Sequence, residues 1–406
     1  MRGKDICDSI MLMMSKTTKK IKLASPVDCT ACAACVSVCP QHCINMKEDK
    51  EGFLQPKIDK TKCILCHKCE KTCPVVTPES ISNNFETKAY AVINKEDEVR
   101  AQSSSGGIFF PLAQWVIEQG GVVFGAKWND NWEVVHDYAE DLEGVKCFMR
   151  SKYIQSVVGD TLIQAKHFLD DGRWVMYSGT PCQLGGLRVY LGKEYEKLIQ
   201  VDLICHGVPS PSVWRSYLKD FHIHKKVLDI NFRDKKDGWY DNQCFQIKYP
   251  LGEYRISQEN DPFFKGFLYD IYLRKSCYNC RFRLYHRKTD VTIGDYWGVD
   301  VKNTRVFDNK GTSIILVHTK KGQSIINASL NKCIVEEQIK DHAVRRNLVV
   351  MKNIEEPEGR FMFFVLFRSL GFKRSLFAIS TDGLRTRIKR KFKKIINRTF
   401  VSDIIK

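Results

Sequence analysis

A cysteine motif that occurs twice near the start of the chain constrains the fold more than any other feature. In each copy three cysteines stand three residues apart, and a fourth follows after three intervening residues, directly before a proline. The first copy comprises Cys29, Cys32, Cys35 and Cys39, and the second comprises Cys63, Cys66, Cys69 and Cys73. Because the spacing is the same in both copies, we expect a module with pseudo-two-fold symmetry and one site in each half.

Four-iron, four-sulfur (4Fe-4S) clusters explain this spacing. Three cysteines at intervals of three residues wrap one cubane cluster, and the fourth ligates the other cluster in two-cluster ferredoxins. This rule assigns Cys29, Cys32, Cys35 and Cys73 to a first cluster set, and Cys63, Cys66, Cys69 and Cys39 to a second cluster set. Paired Cys-x-x-Cys motifs also build zinc ribbons, but zinc needs only four thiolates per site and gives no reason for two identical copies. We therefore predict a bacterial-type ferredoxin fold with two 4Fe-4S clusters.

Changes in composition divide the chain into five segments. The predicted segments are a flexible leader at 1–24, a ferredoxin-type domain at 25–78, a polar, turn-rich linker at 79–87, a large domain at 88–345 and a basic amphipathic tail at 346–406. In the large domain, short β-branched runs alternate with helical segments, which is typical of an α/β fold. We divide this domain into an N-terminal part at 88–165 and a C-terminal part at 166–345. The predicted fold class of the whole chain is α+β, with a mixed sheet in the large domain.

The contents of cysteine and charge limit the environment and the partners. Seventeen cysteines are too many for an ordinary protein of a reducing compartment, so they indicate metal or redox chemistry. We recognise no signal peptide and no apolar run near the ~20 residues that a membrane-spanning helix needs, so we expect a cytoplasmic protein. The formal net charge of +17 favours an acidic partner or an anionic membrane surface. Nucleic acid is not an expected partner, because no recognition motif accompanies the charge.

The C-terminal tail has two alternative arrangements. Residues 360–406 contain thirteen Lys or Arg and two Asp, and apolar residues between Phe361 and Leu376 precede most of the charges. A segment of this kind lies along a membrane surface as an interfacial helix. Alternatively, it packs on the large domain and exposes a charged face to solvent.

A loop rich in serine and glycine opens the first helical segment of the large domain. The loop comprises Ser103, Ser104, Ser105, Gly106 and Gly107, and the apolar residues 108–117 follow it as a predicted helix. Such a loop offers backbone amides, hydroxyl groups and the positive end of the helix dipole to a phosphate group. The alternative is an ordinary helix N-cap with a flexible turn.

Four further cysteines stand in motifs of the large domain. Two predicted strands flank a helix that begins at Pro181, so they form a β–α–β unit with parallel strands. Cys182 and Cys205 then lie at the carboxyl ends of neighbouring strands, the edge at which open α/β sheets bind ligands. With the pair Cys277-x-x-Cys280 they supply the four thiolates that one more 4Fe-4S cluster needs. A zinc site, a redox disulfide or burial of some of these cysteines remain alternatives.

Several runs of the large domain resemble a known family. The runs are Ser103–Gly107, Gly179–Gln183, Asp202–Ser210 and Asp290–Gly298. In type and in order they resemble the family of coenzyme F420 hydrogenase/dehydrogenase beta subunits over about residues 88–340. An N-terminal ferredoxin module is a fusion found in many members.

The resemblance implies a bound flavin, usually FAD, beside a 4Fe-4S cluster. It strengthens the phosphate-binding interpretation of the serine- and glycine-rich loop and the prediction of a third cluster in the large domain. It also makes Arg283, Lys288 and Asp295 candidates for flavin contacts, because a cation near N1 stabilises the reduced, anionic flavin. The alternatives are a solvated basic loop for Arg283 and Lys288, and a turn-closing role for Asp295.

The expected function is that of an iron–sulfur flavoprotein oxidoreductase. It would transfer electrons between a hydride carrier, through FAD, and a protein partner, through the 4Fe-4S clusters. That partner would be an acidic electron-carrier protein or a partner oxidoreductase. The alternative is a non-catalytic electron-delivery subunit that docks on a partner oxidoreductase or a polysaccharide-biosynthesis enzyme. Neither function requires a catalytic acid, base or nucleophile, and none is predicted.

Overall fold

The computed structural model describes most of the chain and leaves some segments out. The described residues are 20–78, 85–222, 226–283, 287–300, 302–303 and 305–380. Most of the predicted leader, residues 79–84 of the predicted linker and residues 381–406 of the predicted tail lie outside this part of the chain.

Strands and helices alternate along the described residues. The strands are β1 (Ile44–Glu48), β2 (Leu54–Ile58), β3 (Lys88–Asn94), β4 (Val122–Trp128), β5 (Val134–Ala139), β6 (Val175–Gly179), β7 (Leu198–Leu203), β8 (Asp229–Asp234), β9 (Cys244–Lys248), β10 (Glu253–Ser257), β11 (Val291–Asp295), β12 (Ser313–Val317) and β13 (Cys333–Gln338). The helices are α1 (Ala34–Ser37), α2 (Lys68–Lys71), α3 (Asp97–Ala101), α4 (Phe109–Glu118), α5 (Leu142–Lys146), α6 (Thr161–Asp170), α7 (Pro181–Leu191), α8 (Pro211–His222), α9 (Pro262–Leu268), α10 (Lys275–Tyr278), α11 (Lys320–Ser329), α12 (Lys340–Val344), α13 (Leu348–Met351) and α14 (Gly359–Ser380).

The ferredoxin module repeats its local structure as the duplicated motif predicts. Each copy of the motif contains a helix of four residues, α1 in the first and α2 in the second. Ala31 and Ala33 in the first copy have positive φ angles, and so do the corresponding Leu65 and His67 in the second copy. Strands β1 and β2 pair as an antiparallel hairpin between the copies. The two halves therefore share one backbone conformation around their cysteines.

The module begins earlier than the predicted boundary at residue 25. Ile21 and Leu23 pack against a small core that contains Cys39, Cys43 and Cys69. The end of the segment predicted as a flexible leader therefore belongs to the module, because its apolar side chains cover the cysteines.

A mixed sheet of eight strands forms the centre of the large domain, as predicted. Its order is β13-β3-β12-β11-β7-β6-β4-β5. The four central strands β11, β7, β6 and β4 are parallel to their neighbours within this group, and the outer pairs are antiparallel. The parallel pairing of β6 with β7 confirms the predicted β–α–β unit. Since β3 lies between β12 and β13, the predicted division at 165/166 does not separate two structural units.

A second core, rich in aromatic residues, lies beside a three-stranded sheet of order β10-β9-β8. Helix α14 contributes Phe363, Phe364 and Phe372 to this core. The described part of the tail therefore packs on the large domain, which was one of its two predicted arrangements. On its outer side Phe361 remains 72% exposed and Phe377 remains 68% exposed.

The ferredoxin module is docked on the large domain by buried contacts. Phe53, in the hairpin of the module, is 1% exposed and belongs to the aromatic core. Arg274 is equally buried and donates hydrogen bonds to the backbone oxygens of Cys29 and Leu54. Arg360 forms an ion pair with Glu51 of the hairpin. A module held by buried side chains of this kind keeps a fixed position relative to the large domain.

Candidate functional site

Two small cavities in the ferredoxin module gather the two predicted cluster sets. One is lined by Cys29, Cys32, Cys35 and Cys73. The other is lined by Cys39, Cys63, Cys66 and Cys69, with Cys43 beside them. Each cavity thus takes its fourth predicted ligand from the other copy of the motif, which is the crosswise arrangement that the spacing predicts.

Burial gives two thiols of the first cavity, those of Cys32 and Cys35, a strong preference for the neutral form. It raises the pKa of Cys32 to about 11 and raises the pKa of Cys35 further. A buried thiolate needs a compensating cation, which iron supplies, so cluster binding displaces protons from these thiols.

Cys43 lies 3.4 Å from Cys39, sulfur to sulfur, and is buried beside the second cavity.

Two adjacent glycines in α7 allow close packing, and Gly186 brings the first cluster set against the large domain. A Cβ at Gly186 would lie 2.6 Å from the Cβ and 2.8 Å from the Sγ of Cys32. A Cβ at Gly185 would lie 2.6 Å from the ring of Phe282. Glycine inside a helix costs about 1 kcal/mol relative to alanine, so close packing is the physical reason for both residues.

The same helix carries the first member of the third cysteine set, Cys182, Cys205, Cys277 and Cys280. Cys182 follows β6 in the first turn of α7, and Cys205 follows β7, so both stand at the predicted edge of the sheet. Burial, and then the charges of the other three thiolates, raises the pKa of Cys182 far above its ordinary value. The four thiols thus come from three separate elements and influence one another's charge.

Two arginines lie beside the third cysteine set and favour an anionic group there. The charges of Arg283 and Arg287 oppose the rise in the pKa of Cys205, which burial raises to about 12. Both arginines have a buried Nε without a hydrogen-bond partner among the described residues. A 4Fe-4S cluster with four thiolates carries a net charge of about −2, and its sulfur atoms accept hydrogen bonds, so this set fits such a cluster.

Arg287 also contacts the end of β7. It donates a hydrogen bond of 2.8 Å to Asp202, and both side chains are almost fully buried. Asp202 additionally accepts a hydrogen bond from Thr289. Residues 287–289 are therefore tied to the strand that precedes Cys205.

Among the described residues, no group of three or more histidine, cysteine, aspartate or glutamate side chains converges as one metal ion would require. In a cubane cluster each thiolate binds a different iron atom. The first two cysteine sets therefore rest on their shared cavities and their spacing, and the third rests on the mutual charges of its thiols.

A large cavity of about 990 Å³ opens at the carboxyl ends of β6, β7 and β11. Its wall includes Gly179 and Thr180 after β6, Cys205 and Gly207 after β7, and Asp295 at the end of β11. This volume is at the upper end of the range for small-molecule and cofactor sites. One member of the third cysteine set, Cys205, is thus part of the cavity wall.

The serine- and glycine-rich loop stands at another part of this wall. Ser103, Ser104, Ser105 and Gly107 line the cavity, and Gly106 is buried behind them. The hydroxyls of Ser103 and Ser105 donate to backbone oxygens, so they hold the loop rather than face a ligand. The N-terminus of α4 remains directed at the cavity through the residues that open it. The amides at the start of this helix, rather than the hydroxyls of Ser103 and Ser105, are the groups that would suit a phosphate.

Lys152 is a cavity residue that the sequence did not single out. Its ammonium group donates to the backbone oxygens of Met149 and Arg150, at 2.9 and 3.2 Å. Burial, and then the charge of Arg150, lowers the pKa of Lys152 to about 7. The backbone amide of Ser151 donates to Ser104, so Lys152 stands next to the loop. A cation that has no carboxylate partner in the described part of the chain, beside a helix N-terminus, favours an anionic ligand.

Asp295 forms an ion pair with an arginine on the cavity wall. It accepts two hydrogen bonds, of 2.9 and 3.0 Å, from Arg233, and one of 3.1 Å from Trp239. Arg233 also lies over the ring of Trp297, and its Nε has no partner among the described residues. Asp295 therefore holds a buried cation of the cavity wall, and the turn-closing alternative does not describe it.

Arg283 and Lys288, which were predicted to contact flavin, do not line the large cavity. The guanidinium of Arg283 donates to the backbone oxygens of His206 and Lys352 and lies beside the third cysteine set. Contact of Arg283 and Lys288 with flavin therefore stays a prediction. Arg150 and Lys152 supply positive charge to the cavity instead, and no motif marked them.

Comparisons with known proteins agree with this architecture. Residues 172–342 match the family model described as the C terminus of the coenzyme F420 hydrogenase/dehydrogenase beta subunit. Residues 28–76 match the model of a 4Fe-4S dicluster domain, which includes all eight cysteines of the duplicated motif.

One curated relative and one solved structure are similar to the chain. The chain is 23% identical over 270 residues to a subunit of the F(420)H(2) dehydrogenase of Methanosarcina mazei, an alignment that covers 62% of this chain and 71% of the relative. A chain of the F420-reducing nickel–iron hydrogenase complex from Methanosarcina barkeri matches with a TM-score of 0.45 and 16% identity. That match covers 67% of this chain and 89% of the other.

The fold and its cysteine sites define an iron–sulfur protein of the oxidoreductase type. More particularly, residues 172–342 match the C-terminal domain of coenzyme F420 hydrogenase/dehydrogenase beta subunits, and the chain joins this domain to a 4Fe-4S dicluster domain. The resemblance noted in the sequence is thereby confirmed. Among the described residues, no helix combines the length and the apolar character needed to cross a bilayer.

Proposed function

We propose that the chain is a flavin-dependent electron-transfer subunit that connects a hydride carrier with a protein partner. The hydride carrier would react at the large cavity, and the partner would exchange single electrons with the ferredoxin module. The observation that carries this proposal is the continuity of the sites. Cys205 belongs both to the cavity wall and to the third cysteine set, and Cys182 of that set stands one helical turn before Gly186, which packs against Cys32.

The cavity wall fits FAD in volume and in charge. The N-terminus of α4 and Lys152 would hold the diphosphate, since both favour an anion and they stand side by side. Arg233 offers a free Nε donor elsewhere on the wall. Bound flavin would supply the exchange between two-electron hydride chemistry and one-electron chemistry, which iron–sulfur clusters alone lack.

The third cysteine set would hold a 4Fe-4S cluster between the cavity and the module. Arg283 and Arg287 would stabilise its negative charge through their free Nε donors. The fixed docking of the module, through Phe53 and Arg274, keeps the first cluster set against α7. Electron transfer inside the chain would then need no domain movement.

The names of the relatives suggest the class of hydride carrier and the kind of partner. The relative from Methanosarcina mazei is a subunit of an F420H2 dehydrogenase, which makes reduced F420 the first carrier to test. Because that relative is one subunit of a larger enzyme, a protein partner is favoured over a soluble acceptor. A non-catalytic electron-delivery subunit is the second candidate function, and it requires no reaction at the cavity.

Anaerobic mixing distinguishes the two functions. The purified chain, with its cofactors, is mixed separately with reduced F420, NADH and NADPH, and the absorption bands of flavin and iron–sulfur clusters are followed. We expect one carrier to bleach both bands. If dithionite bleaches the cluster band but none of the three carriers does, the hydride-linked function is wrong and the delivery function stands.

A further inference from the structure

The second copy of the cysteine motif forms an apolar patch on the surface of the ferredoxin module. Ile64 is 61% exposed and Leu65 is 40% exposed, although both are large apolar residues inside a ligand loop. Cys66, between them and α2, is exposed as well. In the first copy the corresponding cysteine, Cys32, is buried against Gly186. The module thus presents one end to the large domain and the other end to solvent.

Lysines surround this patch. The basic rim comprises Lys57, Lys60, Lys62, Lys68 and Lys71, all of them exposed. Among the described residues, none of the five forms an ion pair. Of the two carboxylates between residues 57 and 71, Asp59 accepts hydrogen bonds from Thr61, and Glu70 bonds His67 and the backbone amide of Lys22. The ammonium groups of the rim are therefore free to meet an external anion.

We propose that the patch around Ile64, Leu65 and Cys66, with its basic rim, is the docking surface for an acidic electron-carrier protein. This inference rests on the proposed electron-transfer function and adds the place and the charge of the partner. An apolar centre with a polar rim is the usual composition of a protein interface. Rim charges steer a partner of opposite sign and orient it.

An exposed ligand cysteine is the feature that favours a redox protein over other anionic surfaces. A membrane or a nucleic acid would be held by the lysines alone and would gain nothing from Cys66 at the centre. An electron carrier that docks on this patch contacts the ligand loop of the second cluster set directly. One electron would pass between the cluster held by that set and the redox centre of the carrier. The reduction potentials of the two centres would set the direction.

Stopped-flow mixing of the full-length holoprotein with a redox protein tests the surface. The probes are a purified acidic plant-type ferredoxin and, for comparison, a basic mitochondrial-type cytochrome c. The variant is Lys62→Glu/Lys68→Glu, and the matched control is Lys47→Glu/Lys50→Glu, two exposed lysines of the same module outside the rim. Iron content and reduction by methyl viologen are measured for each protein, because both depend on the clusters and not on docking.

We expect the second-order rate constant with the acidic ferredoxin to fall as salt is added and to fall on the order of tenfold in the rim variant at low salt. The control should retain the wild-type rate within about twofold. Equal rates for the two variants, or a faster reaction of the wild type with cytochrome c at low salt, would overturn the docking surface. Loss of iron from the wild-type protein would instead contradict the proposed function, so the two failures are distinguishable.

Discussion

The two copies of the cysteine motif share a spacing and a backbone conformation, yet they face opposite environments. In the first copy the residues between the cysteines are small, with Ala33 and Ala34 buried in a core shared with the large domain. In the second copy the corresponding residues are His67 and Lys68, and Lys68 is exposed. Cysteine spacing therefore determines that a cluster binds, whereas the intervening residues determine whether it faces the interior of the protein or a partner.

Because of this difference, the two ends of the module have different contacts. The first cluster set lies against α7, and the second lies behind the apolar patch with its basic rim. A free ferredoxin exposes both ends, but here one end is used for docking within the chain. The predictions below test whether the two ends are as different as their surroundings indicate.

The largest effect is expected when equivalent positions of the two copies are exchanged. Ala34→Lys places an ammonium group in a core where the alanine is 0% exposed, so we expect a loss of several kcal/mol in the free energy of unfolding. Lys68→Ala, at the corresponding position of the second copy, should change it by less than about 0.5 kcal/mol. Thermal and denaturant unfolding of the two variants measure the contrast. Similar costs at both positions would show that the two ends are equivalent.

The next effect is a change in iron content, and it concerns the cluster between the module and the cavity. Cys182→Ser removes one ligand of the third cysteine set, so iron should fall from about twelve to about eight atoms per chain. Carrier-dependent bleaching of the flavin band should persist while transfer to the ferredoxin module is lost. Cys147→Ser is the control, because Cys147 is exposed and belongs to none of the three sets. An unchanged iron content in Cys182→Ser would contradict the third cluster.

Gly186 tests the close contact between the module and α7 through the sign of a stability change. In an unconstrained helix, Gly→Ala stabilises by about 1 kcal/mol. Here the new methyl group would meet Cys32, so Gly186→Ala should destabilise by about 1–3 kcal/mol, the usual cost of overpacking. Denaturant unfolding gives the sign. A stabilised variant would mean that the module does not sit closely on the helix.

The last effect is expected at the cavity, on ligand affinity rather than on stability, and it depends on pH. Because the pKa of Lys152 is lowered to about 7 in the free site, the ammonium group is lost as pH rises above that value. Affinity for anionic FAD should therefore fall from pH 6 to pH 9 in the wild type. Lys152→Met should weaken binding by about 1.5–3 kcal/mol at pH 6, the range for a hydrogen bond to a charged group, and should flatten the profile. Titration of the apoprotein with FAD measures both. A profile unchanged in the variant would exclude Lys152 from the phosphate site.

The sequence predicted best those features that depend on the spacing of residues close together in the chain. The eight cysteines of the module, the β–α–β unit and the helix after Gly107 all depend on residues close together in the chain, and the structure has each of them as expected. The positions of Cys182 and Cys205 also followed, because parallel strands direct their carboxyl ends to one edge.

Long-range packing limited the remaining predictions. Arg283 belongs to the cysteine side of β7 and Lys152 to the cavity, but nothing in their neighbouring residues distinguishes the two. Ile21 and Leu23 were assigned to a leader because the cysteines that they cover are distant in sequence. The burial of Phe363 and Phe364 likewise depends on an aromatic core assembled from several segments.

Cofactor content per chain tests the central claim most directly. After anaerobic purification, iron, acid-labile sulfide and flavin are measured against protein concentration. The account predicts about twelve iron atoms, about twelve sulfides and one flavin, which correspond to three 4Fe-4S clusters and an occupied cavity. About eight iron atoms without flavin would contradict it, and would leave a ferredoxin module fused to a domain that takes no part in electron transfer.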